Sequence, residues 1–388
     1  MIYLLAVLHA LVDAACAAKL YSAAGNLSLL QISTWFLLYN LLAFSTQGII
    51  GGVLDAVVQR QTRFSAQVFR KIHGRPNLYV VFAVAGAFIV ALGAAIPFPL
   101  PVAVCLIGLG NSLFHAGGGG YTLSVSEGMA SGIGLFVGPG SLGLVLGILF
   151  PQMRLLFVLA LIIAGIAAAV MITIRENTRR QNNINIPEDI STDPFFLFRA
   201  GGISIQKQVM FSPWVRILVA GMLCLAVAFR AFGGSFPSYP WKTGTAMILT
   251  AALFVMAGKI AGGFAYDLFG ASKTIVVSSC LAAVIITLFS GNAPASLAGM
   301  TALNIAMPVT LALLYRTLSR YPAFSFGLAA SVLFPGSLLG TMAAGALKKE
   351  PAWTKSGLFI CCSLAALIFV LISCVMIARA DKKKEDFT

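Results

Sequence analysis

The stretch Gly51-Gly52-Val53-Leu54-Asp55 ends one long apolar segment of the chain, and Gly262-Gly263-Phe264-Ala265-Tyr266-Asp267 ends another. Each stretch places an Asp four residues after a Gly. A second pair of motifs follows in the same order: Pro139-Gly140-Ser141-Leu142-Gly143 in the first half and Pro335-Gly336-Ser337-Leu338-Leu339-Gly340 in the second. Motifs that recur in the same order indicate two halves related by a parallel repeat.

The composition around these motifs is that of a membrane protein. Of the 388 residues, 59% are hydrophobic and 10% are charged, and the mean hydropathy is +0.94. Soluble domains carry about 25% charged residues. Apolar runs of about 20 residues cross a bilayer as helices, because lipid admits only helices or closed barrels. We therefore predict an all-α protein with twelve transmembrane helices, numbered spans 1 to 12 and placed at 2–23, 31–57, 77–96, 101–122, 132–150, 153–174, 214–236, 244–268, 274–291, 296–317, 325–347 and 355–379.

The longest polar stretch divides the spans into two groups of six. We predict an N-terminal six-helix bundle over 1–174, a cytoplasmic linker over 175–213 and a C-terminal six-helix bundle over 214–388 with a short basic tail. Within the linker, Phe195-Phe196-Leu197-Phe198-Arg199 suits a short amphipathic helix on the membrane surface. Most of the 26 Lys and Arg residues lie in the segments that share a side with both termini. Basic loops mark the cytoplasmic side, so both termini are predicted to be cytoplasmic.

His9 and Asp13 lie four residues apart inside span 1 and therefore on one face of a helix. Asp13 is the only carboxylate predicted well inside a span. Ionisable groups at such depth usually face a bundle interior or a wet cavity. We predict that Asp13, together with His9, takes up and releases the proton that couples transport. The alternative is a satisfied structural hydrogen bond.

Three basic side chains are predicted inside other spans: His115 in span 4, Arg230 in span 7 and Lys259 in span 8. Because these cations outnumber the buried carboxylate, they favour an anionic or zwitterionic substrate, and we predict all three as substrate contacts. A guanidinium also suits bidentate contacts with a carboxylate or phosphonate. The alternatives are a structural Arg230–Asp13 pair, a Lys259 that extends toward the membrane edge, and a packing role for His115.

Further polar residues inside the spans can line the same cavity, and we predict Asn40, Asn111 and Tyr315 as substrate contacts, with Gln47 and Asn304 as weaker candidates.

Four residues are predicted to serve gating. Asp55 and Asp267 lie at the cytoplasmic ends of spans 2 and 8, where they can accept hydrogen bonds from helix N-termini. Pro139 and Pro335 lie inside spans 5 and 11, which they are expected to bend.

Other functional classes lack their sequence signals. The sequence shows neither a nucleophile–base pair nor paired carboxylates, which are the arrangements that would indicate an enzyme. The seven cysteines show no metal-ligand spacing, so neither a metal nor another cofactor is expected. The net charge of +14 fits basic loops between apolar segments and not a nucleic-acid surface. The run Gly117 to Gly120 is not followed by the Lys of a phosphate loop, which leaves close helix packing or a hinge.

The six-plus-six arrangement, with Gly-x-x-x-Asp at the ends of spans 2 and 8, resembles the major facilitator superfamily. Within it, three patches are similar to the fosmidomycin-resistance type of exporter: His9-Ala10-Leu11-Val12-Asp13, Gly108-Leu109-Gly110-Asn111-Ser112-Leu113-Phe114-His115 and Arg230-Ala231-Phe232-Gly233. Gly138-Pro139-Gly140-Ser141-Leu142-Gly143 resembles the antiporter motif Gly-Pro-x-x-Gly-Gly, with Leu142 in place of one Gly. The resemblance implies proton-exchanging efflux by alternating access.

These observations predict a multi-pass transporter of the inner or plasma membrane, acting as a monomer. Its expected partners are protons, the lipid bilayer and a small organic anion or zwitterion such as a drug or metabolite. The alternative is a uniporter for a neutral solute, in which the buried charges act only as gates.

Overall fold

The computed structural model describes residues 1–25, 27–68, 78–126, 128–182 and 211–385, and no β-strand occurs among them. The predicted linker at 175–213 lies largely outside the described residues, as does all of Phe195-Phe196-Leu197-Phe198-Arg199. Twelve of the described helices are long and apolar enough to cross a membrane, which confirms the all-α, twelve-span prediction. They keep the numbers of the predicted spans: Ile2–Ala24, Leu29–Arg60, Leu78–Ala95, Leu100–Ser126, Ser131–Leu149, Pro151–Arg175, Pro213–Gly233, Gly244–Phe269, Ala271–Phe289, Ala293–Thr317, Pro322–Ala346 and Ala352–Asp381.

Both halves are packed in the same way. In the first half, span 1 packs against spans 5 and 6, span 3 against spans 4 and 6, and span 2 against span 4. In the second half, span 7 packs against spans 11 and 12, span 9 against spans 10 and 12, and span 8 against span 10. Adding six to each span number in the first half gives the second, which is the packing of a parallel repeat.

Span 2 is not one regular helix. It runs as an α-helix over Leu29–Asn40, a π-helical turn over Leu41–Ser45 and a second α-helix from Gln47. A π-turn adds a residue to the helical turn and often marks a functional site. Here the break lies where Phe44 and Gln47 reach the central cavity.

The glycine run of span 4 is continuous helix and fully buried. A β-carbon at Gly117 would collide with the backbone of span 3, and one at Gly118 would collide with Phe136 of span 5. At Gly119 and Gly120 it would collide with span 11. Three neighbouring helices therefore approach this stretch as closely as glycine allows, which confirms the packing interpretation.

The two halves meet through reciprocal contacts, span 2 with span 11 and span 8 with span 5. We call the side of the bundle that carries both termini the terminal face. Among the described residues, the hydrogen bonds between the halves lie from this face up to the level of the central cavity. The structure is therefore a conformation that is closed at the terminal face.

Candidate functional site

A cavity of about 210 Å³ lies between the two halves. Spans 1, 2, 4 and 5 line one side of it, and their repeat partners, spans 7, 8, 10 and 11, line the other. Five ionisable residues predicted from sequence border this cavity: His9, Asp13, His115, Arg230 and Lys259. Residues from four different helices thus converge at one place in the apolar part of the bundle.

The first half contributes a cluster built around Asp13. The Nε2 atom of His9 lies 3.3 Å from Oδ2 of Asp13, and Nε2 of His115 lies 4.0 Å from Oδ1. Asn111 donates its side-chain N–H to Oδ1 at 3.1 Å, and also lies 3.1 Å from the hydroxyl of Tyr39. Asn111 therefore positions the carboxylate of Asp13 and is not among the residues that line the cavity.

Glycines in span 5 allow this cluster to form. A β-carbon at Gly140 would collide with Nε2 of His9 and would lie 2.8 Å from Oδ2 of Asp13. Gly143 and Gly147 meet the backbone of span 1 in the same way. Gly140 was not predicted from the sequence as a site residue. The glycines spaced three and four residues apart along span 5 were the signal that could have identified it.

The second half contributes two cations. Neither Arg230 nor Lys259 has an ion-pair partner within 4.0 Å among the described residues, and Nε of Arg230 is buried without a hydrogen bond. The alternative Arg230–Asp13 pair is therefore not formed in this conformation. A charge without a partner in the apolar part of a bundle is costly, so these two groups can bind an anion.

The rest of the cavity lining is mostly apolar, with Gln47, Ser141 and Thr310 as its other polar residues; the large apolar members are Phe44, Val137, Leu144, Val227, Met307, Leu311, Phe326 and Leu333. Neither Asn40, Tyr315 nor Asn304 lies in this lining. Asn40 donates to the carbonyl of Phe36 in its own helix at 2.7 Å. Tyr315 lies near Tyr79, toward the terminal face.

The gating candidates Asp55 and Asp267 each hold the helix start of the opposite half. Asp55 accepts from the backbone N–H groups of Ala323 and Phe324 at 3.1 and 2.8 Å, at the start of span 11. Asp267 accepts from Ala130 and Ser131 at 2.7 and 2.9 Å, at the start of span 5. We call these two sets of contacts the reciprocal clamps.

The reciprocal clamps supply caps that the two helices lack locally. Neither span 5 nor span 11 has a side-chain cap from its own N-cap residue. A carboxylate at a helix N-terminus satisfies free N–H groups and is favoured by the helix dipole. Asp55 is held further by the hydroxyl of Tyr79, which donates at 2.6 Å. Pro139 and Pro335 lie inside spans 5 and 11, the helices that the clamps hold.

Comparison with known proteins supports the fold. No protein-family model and no curated protein matches the chain. Solved structures of major facilitator superfamily transporters do match it. A single-residue variant of the E. coli fucose:proton symporter FucP aligns with a TM-score of 0.62 and 13% identity, over 96% of this chain and 98% of that one.

A FucP structure in the outward conformation aligns with a TM-score of 0.57 and 13% identity, over 96% of this chain and 99% of that one. At this identity the likeness establishes the architecture only. The protein is thus a multi-pass membrane protein with the fold of major facilitator superfamily transporters.

Proposed function

We propose that the protein is a secondary active transporter, which works by alternating access and moves a small organic anion or zwitterion together with a proton. The observation that carries the proposal is the pair of unpartnered cations, Arg230 and Lys259, which line the cavity between two repeated halves opposite Asp13. This arrangement offers an anion site and a proton site within one space.

The lining favours an anion with an apolar body. Its large side chains are mainly aromatic and aliphatic, and its uncharged polar side chains are few. A polyhydroxylated sugar needs many hydrogen-bond partners, because each unsatisfied buried hydroxyl is costly. FucP is described as a fucose:proton symporter. The cavity of this chain favours a small carboxylate or phosphonate over such a sugar.

The predicted orientation gives the structure a place in the transport cycle. If basic loops mark the cytoplasm, the terminal face is cytoplasmic and its closure corresponds to an outward-facing state of a monomer in the cell membrane. The exporter-like patches favour exchange of substrate for protons. The cavity instead favours movement of both in the same direction, because an anion and a proton neutralise each other. We adopt co-transport, with exchange as the alternative that the assay below distinguishes.

The test is uptake by purified protein in proteoliposomes, using a panel of radiolabelled small carboxylates and phosphonates with fucose as a neutral comparison. We expect accumulation of an anion only when the pH gradient is imposed, and loss of that accumulation in Asp13→Asn with counterflow retained. Uptake of the anion that ignores the gradient would indicate a uniporter. Accumulation toward the acidic side would indicate exchange, and uptake of fucose alone would refute the anionic substrate class.

A further inference from the structure

The two histidines of the cavity are held in the same tautomer by backbone carbonyls. Nδ1 of His9 lies 2.7 Å from the carbonyl oxygen of Phe136, and Nδ1 of His115 lies 2.9 Å from that of Asn111. A carbonyl oxygen can only accept, so both Nδ1 atoms must carry the proton. In a neutral imidazole of this tautomer, Nε2 is left with a bare lone pair.

The two Nε2 atoms nevertheless face each other at 2.8 Å. Two lone pairs at this distance repel, whereas an N–H···N hydrogen bond has about this length. The nearest further group is the carboxylate of Asp13, which is another acceptor. Asn111, the donor at this carboxylate, is bonded to Asp13 and not to either Nε2 atom. The contact therefore requires one proton more than two neutral imidazoles possess.

We infer that the cavity stores one proton in the hydrogen bond between Nε2 of His9 and Nε2 of His115, beside the carboxylate of Asp13. This inference rests on the proposed function and refines it, because the coupling proton then belongs to three residues and not to Asp13 alone. His115, predicted from sequence as a substrate contact, becomes a proton-binding residue. With its proton the cluster is neutral overall, and without it the cluster carries one negative charge.

The surroundings suit a stored proton. Both histidines are buried, and the rings of Phe114, Phe136 and Phe326 pack around them. The charged groups that face the cluster come from the second half, Lys259 in span 8 and Arg230 in span 7.

On the side of the first half, Tyr39 and Cys16 reach the cluster through Asn111. Span 5 presents Gly140 and Ser141, which carry no charge, and span 11 presents Phe326.

The charge of this cluster controls the anion site. A deprotonated cluster attracts Arg230 and Lys259 and so competes with an incoming anion for them. A protonated cluster leaves both cations available. Proton and anion therefore bind cooperatively in the same conformation, which is the requirement for moving them in the same direction.

A transition-metal ion is the other cation that two imidazoles and a carboxylate can bind. Tetrahedral zinc with bonds of about 2.0–2.1 Å would separate the two nitrogens by roughly 3.3 Å. The observed separation of 2.8 Å fits a proton better.

The test uses ¹⁵N-histidine NMR of the full-length protein in lipid nanodiscs. The chain has three histidines, so His73→Gln leaves His9 and His115 as the labelled rings. We expect three protons on the four ring nitrogens at neutral pH: one on each Nδ1 and one shared between the two Nε2 atoms. Two protons only, or an Nδ1 without its proton, would overturn the inference.

Two further measurements sharpen the result. In the additional variant His115→Gln the proton has no second ring to be shared with, so the ¹⁵N shift of Nε2 of His9 should move from an averaged value to that of a single protonation state; an unchanged shift at His9 would mean that the proton was never shared. The metal alternative is tested by adding zinc chloride or EDTA. If neither Nε2 atom carries a proton after EDTA treatment, a metal ion and not a proton occupied the site. Because none of these readouts needs substrate, failure of the proton store is distinguishable from failure of transport in the proteoliposome assay.

Discussion

The reciprocal clamps give the most direct structural prediction, because substitution of Asp267 by Asn should open the terminal face. The carboxylate of Asp267 accepts two backbone hydrogen bonds across the halves, from Ala130 and Ser131. An amide has a single acceptor oxygen, and its NH₂ group would face a donor. The variant thus loses one hydrogen bond to a charged group, a loss of roughly 1.5–3 kcal/mol. That shifts the closed–open equilibrium by roughly ten- to a hundredfold.

Hydrogen–deuterium exchange reads this equilibrium at the amides that the clamps hold. Exchange at the start of span 5 should rise by a corresponding factor, since protection tracks the population of the open form. Exchange at the start of span 11, held by Asp55, should rise with it if the halves open as rigid bodies. A rise confined to span 5 would mean that the contact is only a local cap, and unchanged exchange at both would refute the reasoning.

A matched control is available at the same face. Asp381 pairs with Arg316 at 2.7 Å, and both residues belong to the second half. Asp381→Asn makes the same chemical change without removing a contact between the halves. It should leave exchange at the starts of spans 5 and 11 as in the wild type.

Three further predictions concern the gate and the cavity. Asp55→Asn should raise exchange at the start of span 11 more than Asp267→Asn does at span 5, because Asp55 is fully buried and also binds Tyr79. Gly140→Ala should lower the free energy of reversible unfolding in micelles by about 1–3 kcal/mol, the usual cost of overpacking. Gly221→Ala, where an added β-carbon has nothing within 4 Å, should not lower it, and equal effects of the two variants would contradict the packing argument. Arg230→Gln should weaken binding of the transported anion at least about tenfold, the loss of a roughly 2–5 kcal/mol contact. Arg230→Lys should rescue that binding poorly, and adding Asp13→Asn to Arg230→Gln should not restore it, since restored affinity would mean that the arginine serves the carboxylate.

Much of this architecture could be predicted from sequence because its signals are local. Apolar runs of bilayer length define each span, and the Gly-x-x-x-Asp motifs define the repeat. The grouping of His9 with Asp13 follows from their spacing of four on a helix. The depth of Arg230 and Lys259 follows from their positions along apolar runs.

The missing part of the site depends on packing between helices distant in sequence. His9 and His115 are 106 residues apart in the chain, and no periodicity links them. Asn40 could not be assigned to a helix face, because polar residues are spread around span 2 and its π-turn at Leu41–Ser45 interrupts the regular count. Tyr315 could be assigned to a span, but not to a height relative to the cavity. Gly140 acts by lacking a side chain, and that effect appears only against a neighbouring helix.

The two unpartnered cations have a consequence for the energetics of the empty protein. Arg230 and Lys259 lie deep between the halves, so the alternating access proposed above would expose their charge first to one bulk phase and then to the other. A membrane voltage contributes about 2.3 kcal/mol for each elementary charge that crosses 100 mV. In the proposed transport cycle the empty cavity, with both cations and the deprotonated cluster, carries one net positive charge, and the loaded cavity carries the same charge because a monovalent anion and the stored proton cancel each other. Voltage would then act equally on the loaded and the empty step of that cycle, so co-transport of a proton with a monovalent anion would move no net charge across the membrane.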